Sequence, residues 1–298
     1  MDKEKYQEIF NSILIDTLRF TIDFLESHHL TYWAYWGTAL GAVRENGLIP
    51  WDDDIDIAMP RTDYDKLIGY KQEIRKMGYQ FLTYHDKGFY YAFGKMINLS
   101  TTLVESKHNT IVSGVFVDIY PLEQEKDLDS VNIKWYQYKK RRLAYLRTAM
   151  KHGLNDIRDL LKECDFKGAI RACVYSIFYS DIEKRLQKFI EIEKSLTEDE
   201  GEWLVDYCCS TDSTIYNHIY PIEWFSDSLK FQFNDVEIKV PKGYHQFLTK
   251  IYGDYMTPPP ENERMLCHDE LRYYINLKER LSLEEVKRRV AEGENFVI

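Results

Sequence analysis

Trp51-Asp-Asp-Asp-Ile-Asp-Ile57, inside the longer run Tyr32–Arg61 (YWAYWGTALGAVRENGLIPWDDDIDIAMPR), decides how this chain is read. In an extended strand side chains alternate, so Asp52, Asp54 and Asp56 share one face while Asp53, Ile55 and Ile57 share the other. The expected strand runs from Asp54 to Met59 and ends at Pro60. Two carboxylates held side by side on a rigid strand repel each other unless a cation sits between them, which points to Mg²⁺ or Mn²⁺. Upstream, Gly37-Thr38 opens a helix predicted to reach Glu45, and Asn46-Gly47 and Pro50 mark the turn back toward the acids. Backbone N–H groups at Gly37 and Thr38 are placed to hold a phosphate, and the helix dipole favours its charge.

A small-residue turn at a helix start, followed by a strand bearing Asp-x-Asp, is the arrangement of the nucleotidyltransferase fold. GTALGAVRENGLIPWDDDIDIAMPRTDY resembles the signature of the LicD family of bacterial phosphotransferases, and two further segments are similar to it: GVFVDIYPLE (Gly114–Glu123) and YHQFLTKIYGDYMTPPPENER (Tyr244–Arg264). The resemblance touches both ends of the chain and leaves roughly 131–203 unmatched.

The fold takes a third carboxylate from a neighbouring strand. Gly114–Tyr120 alternates, with Val115, Val117 and Ile119 on one face and Phe116 and Asp118 on the other, so Asp118 is the candidate, before a turn expected at Pro121. Asp54, Asp56 and Asp118 are then the expected catalytic and metal-holding residues. Gly37 and Thr38 would cradle the donor phosphates, and Arg44 and Arg61 flank the site in sequence. Lys95, Arg264 and His268 are added as substrate-binding residues from their places in segments similar to the family's.

What the resemblance implies is metal-dependent transfer of phosphocholine from CDP-choline to a sugar hydroxyl of a surface glycan, such as a teichoic acid, lipopolysaccharide or capsule precursor, with release of CMP. A quaternary ammonium is held by aromatic rings, and Trp33, Trp36, Tyr90, Tyr91 and Trp224 are the candidate walls. Related families move ribitol phosphate or glycerol phosphate from CDP-activated donors, and other members of the fold attach nucleotides to small molecules. A non-catalytic glycan- or nucleotide-binding module is the remaining alternative, but such a module has no need to cluster three acids.

At 298 residues the expected class is α+β, a nucleotidyltransferase-fold mixed sheet flanked by helices, with an additional mostly helical region. The composition shift suggests a catalytic core over 1–125, a helical region over 126–228 and a C-terminal part over 229–298 that completes the donor and acceptor site. An aromatic content of 15% exceeds ordinary packing needs, which supports rings at a ligand site. The net charge of −10 argues against a general nucleic-acid binder but not against a nucleotide, because a bound metal reverses the local sign.

No signal-peptide pattern and no apolar run of spanning length are present, and five cysteines lack a C-x-x-C pair. A cytoplasmic protein, peripheral to the inner face of a membrane, is expected. Cys267-His268 has no second ligand pair at zinc spacing. Against the acidic background, 131–155 carries seven Lys/Arg and no acid. A solvated basic face is one reading; contact with anionic lipid head groups or a lipid-linked, phosphate-bearing acceptor is the other.

Overall fold

The computed structural model describes residues 3–106, 111–149, 158, 161, 166–178, 182–196, 201–208, 214–264, 272–294 and 296–297. The amphipathic N-terminal segment is α1 (Lys3–Ser27), with Leu14, Leu18 and Leu25 on its buried stripe. There follow β1 (Trp33–Ala34), α2 (Trp36–Leu40), β2 (Asp56–Pro60), α3 (Arg61–Gly69), α4 (Lys71–Lys76), β3 (Tyr79–Leu82), β4 (Gly94–Asn98), β5 (Thr102–Val104) and β6 (Phe116–Glu125). The central sheet runs β1-β2-β6-β4-β3, with β2 and β6 parallel and the other pairs antiparallel, so the mixed α+β architecture expected from the sequence is the one found.

Beyond the sheet come α5 (Leu128–Ala149), α6 (Phe166–Phe178), α7 (Ile182–Lys194), β7 (Trp203–Val205), β8 (Ile219–Pro221), the hairpin β9 (Ser228–Phe233) and β10 (Val236–Pro241), α8 (Tyr244–Tyr252), β11 (Tyr274–Asn276), α9 (Leu283–Ala291) and β12 (Phe296–Val297). β7 and β8 extend the far end of β6, and β11 pairs with β5, so late segments close onto the early sheet. Among the described residues no helix is long and apolar enough to cross a membrane.

Four elements differ from expectation, each for a local reason. The Asp-bearing strand starts at Asp56 rather than Asp54, although the Asp118 N–H already donates to the Ile55 carbonyl at 2.8 Å. β6 does not turn at Pro121 but continues to Glu125. Because the Asp118 N–H points toward β2, alternation sends the nitrogen of Pro121 to the opposite edge. There β4 has ended at Ile119 and β7 begins only at Glu123, so the missing N–H is never asked for. The helix expected over 61–77 breaks at Tyr70 (φ −92°, ψ 6°), whose ring stands edge-on against Phe24 of α1 and against His28 just beyond it. Residues 89–93, expected as strand, form a loop in which the Phe89 carbonyl accepts from the Tyr145 hydroxyl of α5 at 2.5 Å.

Candidate active site

Three adjacent strands place three ionisable side chains in a row. Asp56 of β2 is in register with Asp118 of β6, and Asp118 is in register with Lys95 of β4. Residues in register share a pleat, so all three project from one face at the strand spacing of about 4.8 Å. The opposite face carries Ile57, Ile119 and Gly94. A Cβ on Gly94 would meet the Phe81 ring at 2.3 Å, so that position closes the apolar packing behind the row.

The row is buried. Lys95 Nζ lies 3.0 Å from Asp118 Oδ1 and 3.5 Å from Glu105 Oε1, and it sits over the Phe116 ring at 3.3 Å and the Tyr91 ring at 4.6 Å. Burial lowers the Lys95 pKa, but Asp118 and Glu105 outweigh it and the net shift is upward, so the ammonium stays charged. Burial pushes the Asp118 carboxyl up to about 7, against the pull of Lys95. Asp56 is raised well above the carboxylate range, first by burial and then by the charges of Asp54, Asp118 and Asp52.

The face opens into a cleft of about 600 Å³. Tyr90, Tyr91, Phe93, Phe116 and Tyr120 form its aromatic wall; Asp54, Glu105 and Asp118 supply acid. Asp53 also reaches the cleft, but its Oδ2 is tied to Arg272 at 2.7 Å. Asp56 lies beside Asp118, just beneath the lining.

The arrangement fits a divalent cation in part. Asp56 Oδ1 and Asp118 Oδ1 are buried and accept no hydrogen bond, although the latter lies within ion-pair distance of Lys95. Unsatisfied hard oxygens of this kind suit Mg²⁺ or Mn²⁺. Among the described residues, however, no three acids converge closely enough to hold an ion together. A donor set here would be two carboxylates, as Mg²⁺ commonly takes one or two and completes its shell with phosphate oxygens and water. Asp54, expected as a ligand, sits ahead of the strand on the cleft lining.

The other sequence candidates divide. Thr38 Oγ1 accepts from the Asp56 N–H at 2.8 Å and fixes the start of β2. A Cβ on Gly37 would lie 2.5 Å from Asp52 Oδ2, so a carboxylate occupies the space expected to take a phosphate. Neither residue lines the cleft. Arg61 is corrected outright. It is buried after the far end of β2, where its Nε donates to Glu123 at 2.6 Å and its Nη2 to Glu193 at 3.2 Å, joining α7 to the sheet. Its charge is neutralised inside the fold, not offered to a substrate.

Arg44 and Arg264 converge on Trp51, with guanidinium carbons 5.7 and 4.8 Å from the ring centre. Arg44 also donates to the Tyr255 carbonyl at 3.0 Å. Burial, and then the charges of Asp56, Asp52 and Asp54, raise the hydroxyl pKa of Tyr252. Of the proposed cage residues, Tyr90 and Tyr91 line the cleft, and Trp36 stacks on Tyr120 at 5.8 Å behind it. Trp33 packs edge-on against Phe225 and Trp224 lies against Gly243, so neither reaches the cleft. His268 lies outside the described residues.

Sequence reading missed Glu105, Phe93, Phe116, Tyr120 and Arg272. Phe116 and Tyr120 were within reach, since both stand two residues from Asp118 on the same strand face. Arg272 carries no local signal.

A pH effect follows. Asp118, Asp56 and Glu193, the last also near 7 through burial, bind protons in the folded state at pH values where the unfolded chain has released them. Their contribution to stability is therefore largest in acid and is lost as pH rises from about 4 to 7. Thermal melts in EDTA are expected to show a lower Tm at pH 8 than at pH 5.5, and Mg²⁺ is expected to raise Tm more at pH 8 than at pH 5.5. Equal metal effects at both values would remove the carboxylates from the metal site.

Residues 29–157 match the family model described as LicD/FKTN/FKRP, nucleotidyltransferase domain. Asp54, Asp56, Lys95, Glu105 and Asp118 all fall inside that match, whereas Arg264 and Arg272 lie beyond it. The chain is 27% identical over 263 residues, 84% of its own length and 91% of the relative's, to the lipopolysaccharide cholinephosphotransferase LicD of Haemophilus influenzae. Shorter similarities reach uncharacterised proteins of Rickettsia prowazekii (36% over 66 residues, 22% of this chain and 25% of the relative) and Rickettsia typhi (34% over 67 residues, 22% of each).

Proposed function

The chain belongs to the LicD family through its nucleotidyltransferase domain, and from that premise we propose that it moves phosphocholine from CDP-choline to a sugar hydroxyl of a surface glycan, releasing CMP. The observation that carries this reading is the row Asp56–Asp118–Lys95, of which Asp118 and Lys95 line an aromatic cleft. Cationic choline suits rings interspersed with acid, and the diphosphate suits a floor that binds metal.

Asp56 and Asp118 would hold Mg²⁺ or Mn²⁺, which when bound neutralises charge developing on the diphosphate oxygens. Lys95 holds Asp118 in place and keeps a positive charge at the cleft floor. Asp118 faces Lys95 and, with Asp56, would face the metal, so Asp54, on the cleft lining, takes the proton of the acceptor hydroxyl. Arg264, seated on Trp51, would offset charge on the departing CMP, whereas Arg44 is paired with Glu45 at 2.7 Å.

Incubation with Mg²⁺, a glycan acceptor and CDP-choline, CDP-ribitol or CDP-glycerol in turn, with CMP followed by chromatography, tests the donor. CMP is expected from CDP-choline at a rate well above the other two. Release from an alditol donor alone would replace choline with that alditol.

A further inference from the structure

We propose that the outward faces of α5 and α6 rest on a bilayer surface rich in acidic phospholipid. On α5, Ile133, Tyr136 and Leu143 are 63%, 65% and 40% exposed, and their spacing, with Lys140 between them, puts all four on one side of the helix. On α6, which touches α5, Phe166, Ile170 and Val174 are 61%, 66% and 40% exposed and again share a side. Large apolar side chains left in water at this spacing, on two neighbouring helices, mark a surface that is covered in use.

Charge selects the cover. Neither 131–149 nor 166–178 contains an acid, in a chain whose net charge is −10. Not every base of α5 serves the surface: Lys134 pairs with Glu125 at 2.5 Å and Arg142 donates to the Cys208 carbonyl at 2.7 Å. Lys140, Arg141 and Lys167 remain exposed beside the apolar side chains. Apolar residues that enter the acyl boundary, flanked by Lys and Arg at head-group level, form an interfacial helix surface. The acidic remainder of the molecule is repelled by the same bilayer, which fixes the orientation.

The inner side of α5 ties this face to the cleft. The Tyr145 hydroxyl donates to the Phe89 carbonyl, one residue before Tyr90 of the aromatic wall. Docking through α5 would therefore hold the cleft close to the plane where lipid-borne acceptors present their sugars. The inference goes beyond the donor assignment and is read without any substrate, so failure of one leaves the other intact.

The test is co-sedimentation of the full chain with phosphatidylglycerol-containing and pure phosphatidylcholine vesicles, at low and high salt. Binding is expected to the acidic vesicles at low salt, with loss at high salt and on neutral vesicles. Each near-surface base is worth about fivefold in affinity, so Lys140→Ala/Arg141→Ala is expected to weaken binding by about 25-fold. Ile170→Asp is expected to weaken it too, while circular dichroism and CMP release with a water-soluble acceptor stay unchanged in both variants. The absence of vesicle binding would overturn the proposal, as would binding that ignores salt and both sets of substitutions. A dimer that Ile170→Asp dissociates, in a chain that does not bind vesicles, would overturn it in favour of a second copy of the protein as the cover.

Discussion

Asp56→Asn is expected to lower kcat by about a thousandfold or more while raising the Tm of the metal-free protein at pH 8. Both effects have one cause. Asp56 is buried, its Oδ1 accepts no hydrogen bond, and its register partner is another acid. With its pKa already raised, ionising it in the metal-free fold opposes burial and the charges of Asp54, Asp118 and Asp52 together. Asparagine keeps the shape and removes that charge. Relief of one such group in a domain of this size corresponds to a rise of about 2–6 °C. The same change removes half of the carboxylate pair proposed to hold the metal, and charge neutralisation by a bound metal supplies several kcal/mol to the transition state, which is the thousandfold. Thermal melts with and without Mg²⁺, alongside the CMP assay, read both quantities. A variant that turns over normally, or that melts lower in EDTA, would contradict the role assigned to Asp56.

Lys95→Met should act in the opposite direction. Lys95 is 2% exposed and is the cation that Asp118 and Glu105 face inside the row. Methionine fills much of its volume and packs on Phe116 and Tyr91, but Asp118 is then buried against other acids without a counter-charge. Removing one partner of a buried pair costs about 3–5 kcal/mol. The loss should be greatest at high pH, where Asp118, released from its partner, is forced to ionise or to hold a proton. Asp118→Asn in the Lys95→Met background should recover part of the loss, because the surviving carboxylate was its source. Urea titrations of the four proteins in the cycle give the coupling. Additive losses would mean that the pair is incidental to the fold.

The acidic stretch made most of the sheet's logic legible. Asp56 and Asp118 stand on one face with Ile57 and Ile119 behind them because strand alternation is a property of the backbone, readable wherever a strand can be recognised. The α+β class followed from the same pattern, and the hairpin at Asn234 followed from its turn residues. Arg61 shows where this reading stops. Its place beside Met-Pro, five residues after Asp56, says nothing of the distant glutamate from α7 that claims it. Trp33 and Trp224 fail similarly, since a tryptophan is equally suited to a ligand or to the core, and only packing decides which.

What the sequence determined alone was therefore local and periodic: which residues alternate, where carboxylates share a face, where the chain must turn, and which family signature they spell. What the tertiary structure decided was pairing across distance. It set Lys95 against Asp118, tied Asp53 to Arg272 and turned Arg61 inward. It also carried β6 past Pro121 through a gap in its edge partners. The physical reason is that strand pleat and turn geometry are fixed by neighbouring dihedral angles. The charge partner of a buried group is fixed by which distant segment packs against it, and an acid or base in sequence does not specify that segment.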